Sequence, residues 1–133
     1  MTTSTSFGST GAATTSLPDD ALEAARWLAR RAERRGRLDL AQRILLGCVH
    51  ARPDATAAAR DLARVALANG DPATAQHAAG LALQHDARHP HAALLYARAL
   101  IALGAHQDAR GWLAIAARDP ALADVARAVQ ARL

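Results

Sequence analysis

Six arginines and one glutamate crowd the twelve residues RWLARRAERRGR at 26–37. Guanidinium forks at this density suit carboxylates or phosphates, which raises two ligand classes, an acidic polypeptide and a nucleic acid. Three histidines, His85, His89 and His91, lie together in QHDARHPH at a spacing that offers metal ligands. No Cys or Glu completes a set there, so a metal would need Asp86 or a second chain, and surface histidines are the plainer reading. His50, His77 and His106 are isolated. The sequence has no Gly-rich phosphate loop, no Gly-x-Ser-x-Gly and no paired carboxylates at useful spacing. A non-enzyme is expected, with no catalytic residue, no metal site and no cofactor.

The elements that carry these residues follow from composition and period. The 133 residues suit one domain with a core of its own. All 16 basic residues are arginine, and alanine is the commonest residue, a bias that resembles GC-rich bacterial coding. The net charge of +4 is uneven. Residues 1–25 carry three acids (Asp19, Asp20, Glu23), and 26–37 carry six arginines against Glu33. The remainder holds ten arginines against eight aspartates. The single cysteine, Cys48, forms no intrachain disulfide and suits a reducing compartment. No secretory leader is visible, and no stretch approaches the roughly 18 apolar residues of a membrane span. A cytoplasmic, bacterial protein without a membrane span is therefore expected.

Residues 1–16, MTTSTSFGSTGAATTS, are too polar and small to bury apolar surface, which predicts a disordered arm with Phe7 as its one docking point. Structure should begin at Leu17-Pro18-Asp19-Asp20, with Pro18 at the first helical position and acids at the helix N-terminus. From there to Leu133 helix formers are broken only by short Gly, Pro and Asp punctuation, so the chain reads as all-α.

Gly36, Gly70 and Gly104 recur at one fixed interval, and Ala41, Ala75 and Ala109 recur at the same interval. Aligned on the glycines, the units are 22–55, 56–89 and 90–123, followed by a last helix at 124–133. Each unit repeats small residues: Ala29, Ala63 and Ala97; Cys48, Ala82 and Ala116. Leu28, Leu62 and Tyr96 share one larger place, and Leu45, Ala79 and Leu113 share a place that is large in two units of the three. Small residues let paired helices approach, and a turn glycine can take the positive φ that ends a helix.

This pattern resembles the tetratricopeptide repeat (TPR) family. The resemblance implies a right-handed α-solenoid of three helix pairs with a C-terminal capping helix. It departs from the family at Ala25, Ala59 and Ala93, where a large residue is favoured, and in the missing proline near the end of the second unit. It places Cys48 at a packing position, as a small buried residue. Trp27 and Trp112 are expected to pack between helices.

The resemblance also puts the first helix of each pair along a concave groove. Arg26 and Arg30, Arg60 and Arg64, and Arg98 would then form a stripe, since residues four apart share a helix face. Leu67, Leu94 and Ile101 would form an apolar floor. Arg31, Arg34, Arg35 and Arg37 would fall on other faces or in the turn, so the opening run splits between two surfaces. Asp61 and Glu23 are close enough in sequence to compete for the stripe. The partner this predicts is a protein segment with acidic or C-terminal carboxylate groups and apolar anchors. Nucleic acid is disfavoured, because Phe7, Trp27, Tyr96 and Trp112 are too scattered for a stacking platform.

RRGRLDLAQRILLGCVHARPD, VALANGDPATAQHAAGLALQHD and ARALIALGAHQDARGWLAIA resemble, in order and spacing, the small TPR chaperones of type III secretion systems. DPALADVARAVQARL resembles the end of the needle-subunit co-chaperones. That likeness implies a cytoplasmic chaperone holding an export substrate in its groove. Two alternatives stand beside it: a general TPR adaptor docking an acidic segment or C-terminus, and a nucleic-acid-binding or regulatory protein. A homo- or hetero-dimer is compatible with each.

Overall fold

The computed structural model describes residues 17–133. The expected arm at 1–16 lies outside them. The described residues form seven α-helices and no strand. They are α1 (Asp19–Arg34), α2 (Leu38–Ala51), α3 (Thr56–Ala68), α4 (Pro72–His85), α5 (Pro90–Ala102), α6 (His106–Ala116) and α7 (Ala123–Ala131). Each helix through α6 packs on the next in the chain, α7 packs on α6, and α3 also touches α5. That last contact brings the first helices of successive pairs side by side, as a solenoid requires.

The three evenly spaced glycines end the first helix of each pair. Gly36, Gly70 and Gly104 have φ of +76°, +75° and +87°, and no other described residue has a positive φ. At each turn the amide after the glycine donates to a carbonyl five residues back: Arg37 to Ala32 (2.9 Å), Asp71 to Ala66 (2.8 Å), Ala105 to Leu100 (2.8 Å). The glycine amide itself donates three residues back, to Glu33, Leu67 and Ile101. This pair of hydrogen bonds satisfies helix-end carbonyls and folds the chain sharply into the second helix.

Helix starts differ in detail. Asp71 caps α4 by accepting from the Thr74 amide, and Pro72 opens the helix. His89 caps α5 through Nδ1, which accepts from the Ala92 amide at 3.4 Å, and Pro90 follows. Pro18 occupies the cap of α1 rather than its first turn, so Asp19 and Asp20 supply the first-turn charge. The reason is geometric: Pro18 has an extended ψ of 158°, outside the helical range.

The core repeats with the same period. Ala41, Ala75 and Ala109 are wholly buried, as are Ala63 and Ala97, while Ala29, Cys48, Ala82 and Ala116 are nearly or wholly so. Among the described residues 18 of the 27 buried hydrophobic side chains are alanine, so the helices sit close and each contact is small. A buried methyl contributes about 0.8 kcal/mol against about 1.5–3 kcal/mol for a full Leu or Val. Leu45, Leu62, Val65 and Leu113 are therefore the main apolar anchors. Tyr96 and Trp112 pack edge to face between α5 and α6, ring centroids 5.1 Å apart.

Two expectations change. Trp27 is 46% exposed rather than packed between helices, with the Arg31 guanidinium 5.6 Å from its ring centroid. Leu28, beside it, is 51% exposed, although Leu62 at the same place in the next unit is fully buried. The α2 helix precedes and covers α3, whereas no described helix precedes α1. Leu94 is only 8% exposed and belongs to the core, so it offers no floor to a ligand.

Candidate binding face

The first helices α1, α3 and α5 carry the arginine stripe, and adjacent helices neutralise much of it. Arg26 Nε donates to Asp61 Oδ2 on α3 at 2.9 Å, and its Nη1 donates to Glu23 at 3.1 Å. Arg30 lies 3.5 Å from Glu23. Arg64 on α3 reaches back to Glu33 on α1 through both terminal nitrogens. The hydrogen bond to Glu33 holds the Arg64 guanidinium still more firmly protonated than usual. Thus α1 and α3 exchange charges in both directions: Arg26 with Asp61, and Glu33 with Arg64.

The second helices add to this joint. Gln42 on α2 donates to Asp71 at 2.8 Å, and Asn69 donates to Asp39 and to Gln42, both at 2.9 Å. Thr74 and Gln42 hold the Asp71 carboxyl below its ordinary pKa. Arg52 closes the α2 end, donating to the Leu17 carbonyl (2.9 Å), to Asp19 (2.8 Å) and to Asp54.

Two stripe residues stand apart. Arg60 has no ion pair among the described residues, and its buried Nε has no hydrogen-bond partner. Its charge lies near His89, whose pKa is lowered first by burial and then by Arg60. Arg98 likewise has no ion pair among the described residues. Leu67 and Ile101 are half-buried beside them. Of the other arginines, Arg31 and Arg34 lie on α1, while Arg35 and Arg37 form the turn into α2. Cys48 is buried, and burial raises its pKa, which disfavours a reactive thiolate. Among the described residues no three His, Cys, Asp or Glu side chains gather closely enough to hold a metal ion.

One residue escaped the sequence reading. Arg132, at the end of α7, follows Arg98 by one repeat period, as Arg98 follows Arg64 and Arg64 follows Arg30. It lines a cleft of about 390 Å³ with Arg98, Ile101, His106, Val129 and Leu133. The period could have found it, had α7 been aligned as the first helix of a further unit.

A tetratricopeptide repeat family model matches residues 66–133, just over half the chain. No curated protein matches the sequence. Among solved structures, the Yersinia enterocolitica type III secretion translocator chaperone SycD superposes with a TM-score of 0.71 at 19% identity. The match covers 87% of this chain and 90% of that one. An alternative dimer form of SycD gives 0.73, again at 19% identity, over 86% and 89% of the two chains. The TPR2AB domain:pHSP90 complex of yeast Sti1 gives 0.74 at 16% identity, over 96% of this chain and 49% of that one. Family match and shared fold agree: the chain belongs to the tetratricopeptide repeat family.

Proposed function

We propose that the chain is a non-enzymatic protein-binding TPR module that holds an export substrate of a type III secretion system in the groove formed by α1, α3, α5 and α7. The observation that carries this reading is the likeness to a translocator chaperone over nearly the whole of both chains. The groove side chains are Arg60, Arg98, Leu67 and Ile101, with Arg26, Arg30 and Arg64 as a rim already held by carboxylates of the chain. A sheltered charge-assisted pair contributes about 1.5–3 kcal/mol, enough for one unpartnered arginine to decide a partner. Cytoplasmic residence follows from that role.

Arg60 and Arg98, which have no ion pair among the described residues, favour a second reading, a general TPR adaptor docking an acidic segment. Tagged capture from the native host, with nuclease and mass spectrometry, separates the two. A single stoichiometric secreted protein, lost on Arg60→Glu, is the expected result. Diverse cytosolic proteins would leave the adaptor, and material released by nuclease would contradict both. Arg64→Glu is a poorer probe, because it would set a second carboxylate against Glu33.

A further inference from the structure

Ion pairing divides the arginines that recur with the repeat period into two sets. Arg30 and Arg64 face carboxylates of the chain. Arg98 and Arg132 have none within ion-pair distance among the described residues, although both line one cleft. The cleft lies between one turn of α5 (Arg98, Ile101, Ala102) and the end of α7 (Val129, with Arg132 and Leu133 following). His106, the first residue of α6, also lines it, and no Asp or Glu among the described residues does. Its floor is aliphatic: Ile101 and Val129 are half-buried, as is Leu133.

Two guanidinium groups around one apolar cleft repel each other and attract a counter-charge. Both arginines are exposed, and a carboxylate meets either fork with two parallel hydrogen bonds. The aliphatic floor adds a second requirement, a large apolar side chain beside the acid. A volume of about 390 Å³ takes a side chain or two rather than a folded element. A nucleic acid would satisfy the arginines and leave the floor empty, and among the described residues no Phe, Tyr or Trp lines the cleft as a stacking platform; His106 is the one ring there.

We propose that the α5–α7 cleft is a specificity pocket for an internal acidic–aliphatic pair, Glu or Asp within one helical turn of Leu or Ile, in a partner polypeptide. The inference rests on the protein-binding reading above and deepens it. It names the end of the groove that selects, and the side chains selected. Arg98 and Arg132 grip the carboxylate, and Ile101, Val129 and Leu133 receive the aliphatic group.

The test titrates the full chain with a fluorescein-labelled, acetylated and amidated helical peptide carrying Glu and Leu four residues apart, read by anisotropy. Saturable binding is expected. It should fall at least tenfold for Arg98→Gln/Arg132→Gln and less than twofold for the charge-matched control Arg110→Gln/Arg118→Gln, whose arginines lie outside the cleft. A Glu→Gln peptide should lose a similar factor, and a Leu→Ala peptide several-fold. Binding that needs a free peptide C-terminus would overturn the internal-segment assignment. Equal loss in both arginine pairs, no saturation, or tighter binding of an oligothymidylate would overturn the pocket. If Arg98→Gln/Arg132→Gln still captures the native partner while Arg60→Glu does not, the pocket fails and the groove reading survives.

Discussion

The joint between the first and second helix pairs is polar, and the joint between the second and third is apolar. At the first, Arg26–Asp61, Glu33–Arg64, Gln42–Asp71 and Asn69–Asp39 tie α1 and α2 to α3, α4 and the turn between them. At the second, no side-chain hydrogen bond or ion pair joins α3 or α4 to α5 or α6 among the described residues. Buried alanines and leucines hold that joint, including Ala79, Ala82, Ala92, Ala93 and Leu94. The difference decides where charge is available. Arginines at the polar joint are engaged in holding the repeats together, whereas Arg98 and Arg132 beyond the apolar joint have no ion pair among the described residues. A stripe read from sequence as one feature is thus divided in structure, and its C-terminal half is the part proposed above to meet a ligand.

Core substitutions give the largest expected effects. Leu62→Ala should cost about 2–5 kcal/mol, because Leu62 is fully buried where α3 meets its neighbours. Leu28→Ala, at the same place in the first unit, should change stability by less than about 0.5 kcal/mol. Urea denaturation of the two variants side by side checks the contrast. Equal losses would mean that α1 is covered in solution.

The turns should come next, and they should not distinguish the joints. Alanine at Gly36, Gly70 or Gly104 forces a side chain into positive φ, at about 1–2 kcal/mol each. Thermal midpoints should fall by similar amounts in all three variants.

A smaller effect separates the joints by charge. Asp61→Asn removes the partner of a four-fifths-buried Arg26 side chain and should cost about 1 kcal/mol, less at high salt. Arg98→Gln should cost nothing measurable, since Arg98 holds no ion pair among the described residues. If both variants lose the same stability, the apolar character of the second joint is wrong.

The smallest effect is a pH dependence at the second joint. Neutral His89 caps α5, and burial together with the Arg60 charge lowers its pKa. The unfolded chain therefore binds the proton more readily, so stability rises with pH across the window below the ordinary histidine value of about 6.5. His89 contributes its full share above that value and loses it as pH falls toward the lowered folded value. His89→Asn keeps a capping side chain without the titration and should flatten the decline in thermal midpoint as pH falls below about 6.5.

The repeat was legible because its determinants are local. A glycine needed at positive φ and alanines needed at close helix contacts leave marks at a fixed period, and all three turns have the same hydrogen-bond pattern. The fate of the arginines was less legible, because ion pairs depend on how neighbouring units align. Asp61 lies 35 residues from Arg26, and Glu33 lies 31 from Arg64, so neither pairing follows the repeat. Leu94 follows Arg60 by one period, but its apolar side chain turns into the core where the arginine stays partly exposed. Trp27 and Leu28 are exposed for a boundary reason: no described helix precedes α1 to cover them.

The most direct measurement follows the arginine Nε–Hε resonances of the full chain by NMR as the captured native partner is added. Arg60, Arg98 and Arg132 should shift, while Arg110 and Arg118 on and beyond α6 keep their positions. Shifts confined to Arg110 and Arg118, or an unchanged Arg98 and Arg132 in a saturated complex, would contradict binding along the first helices.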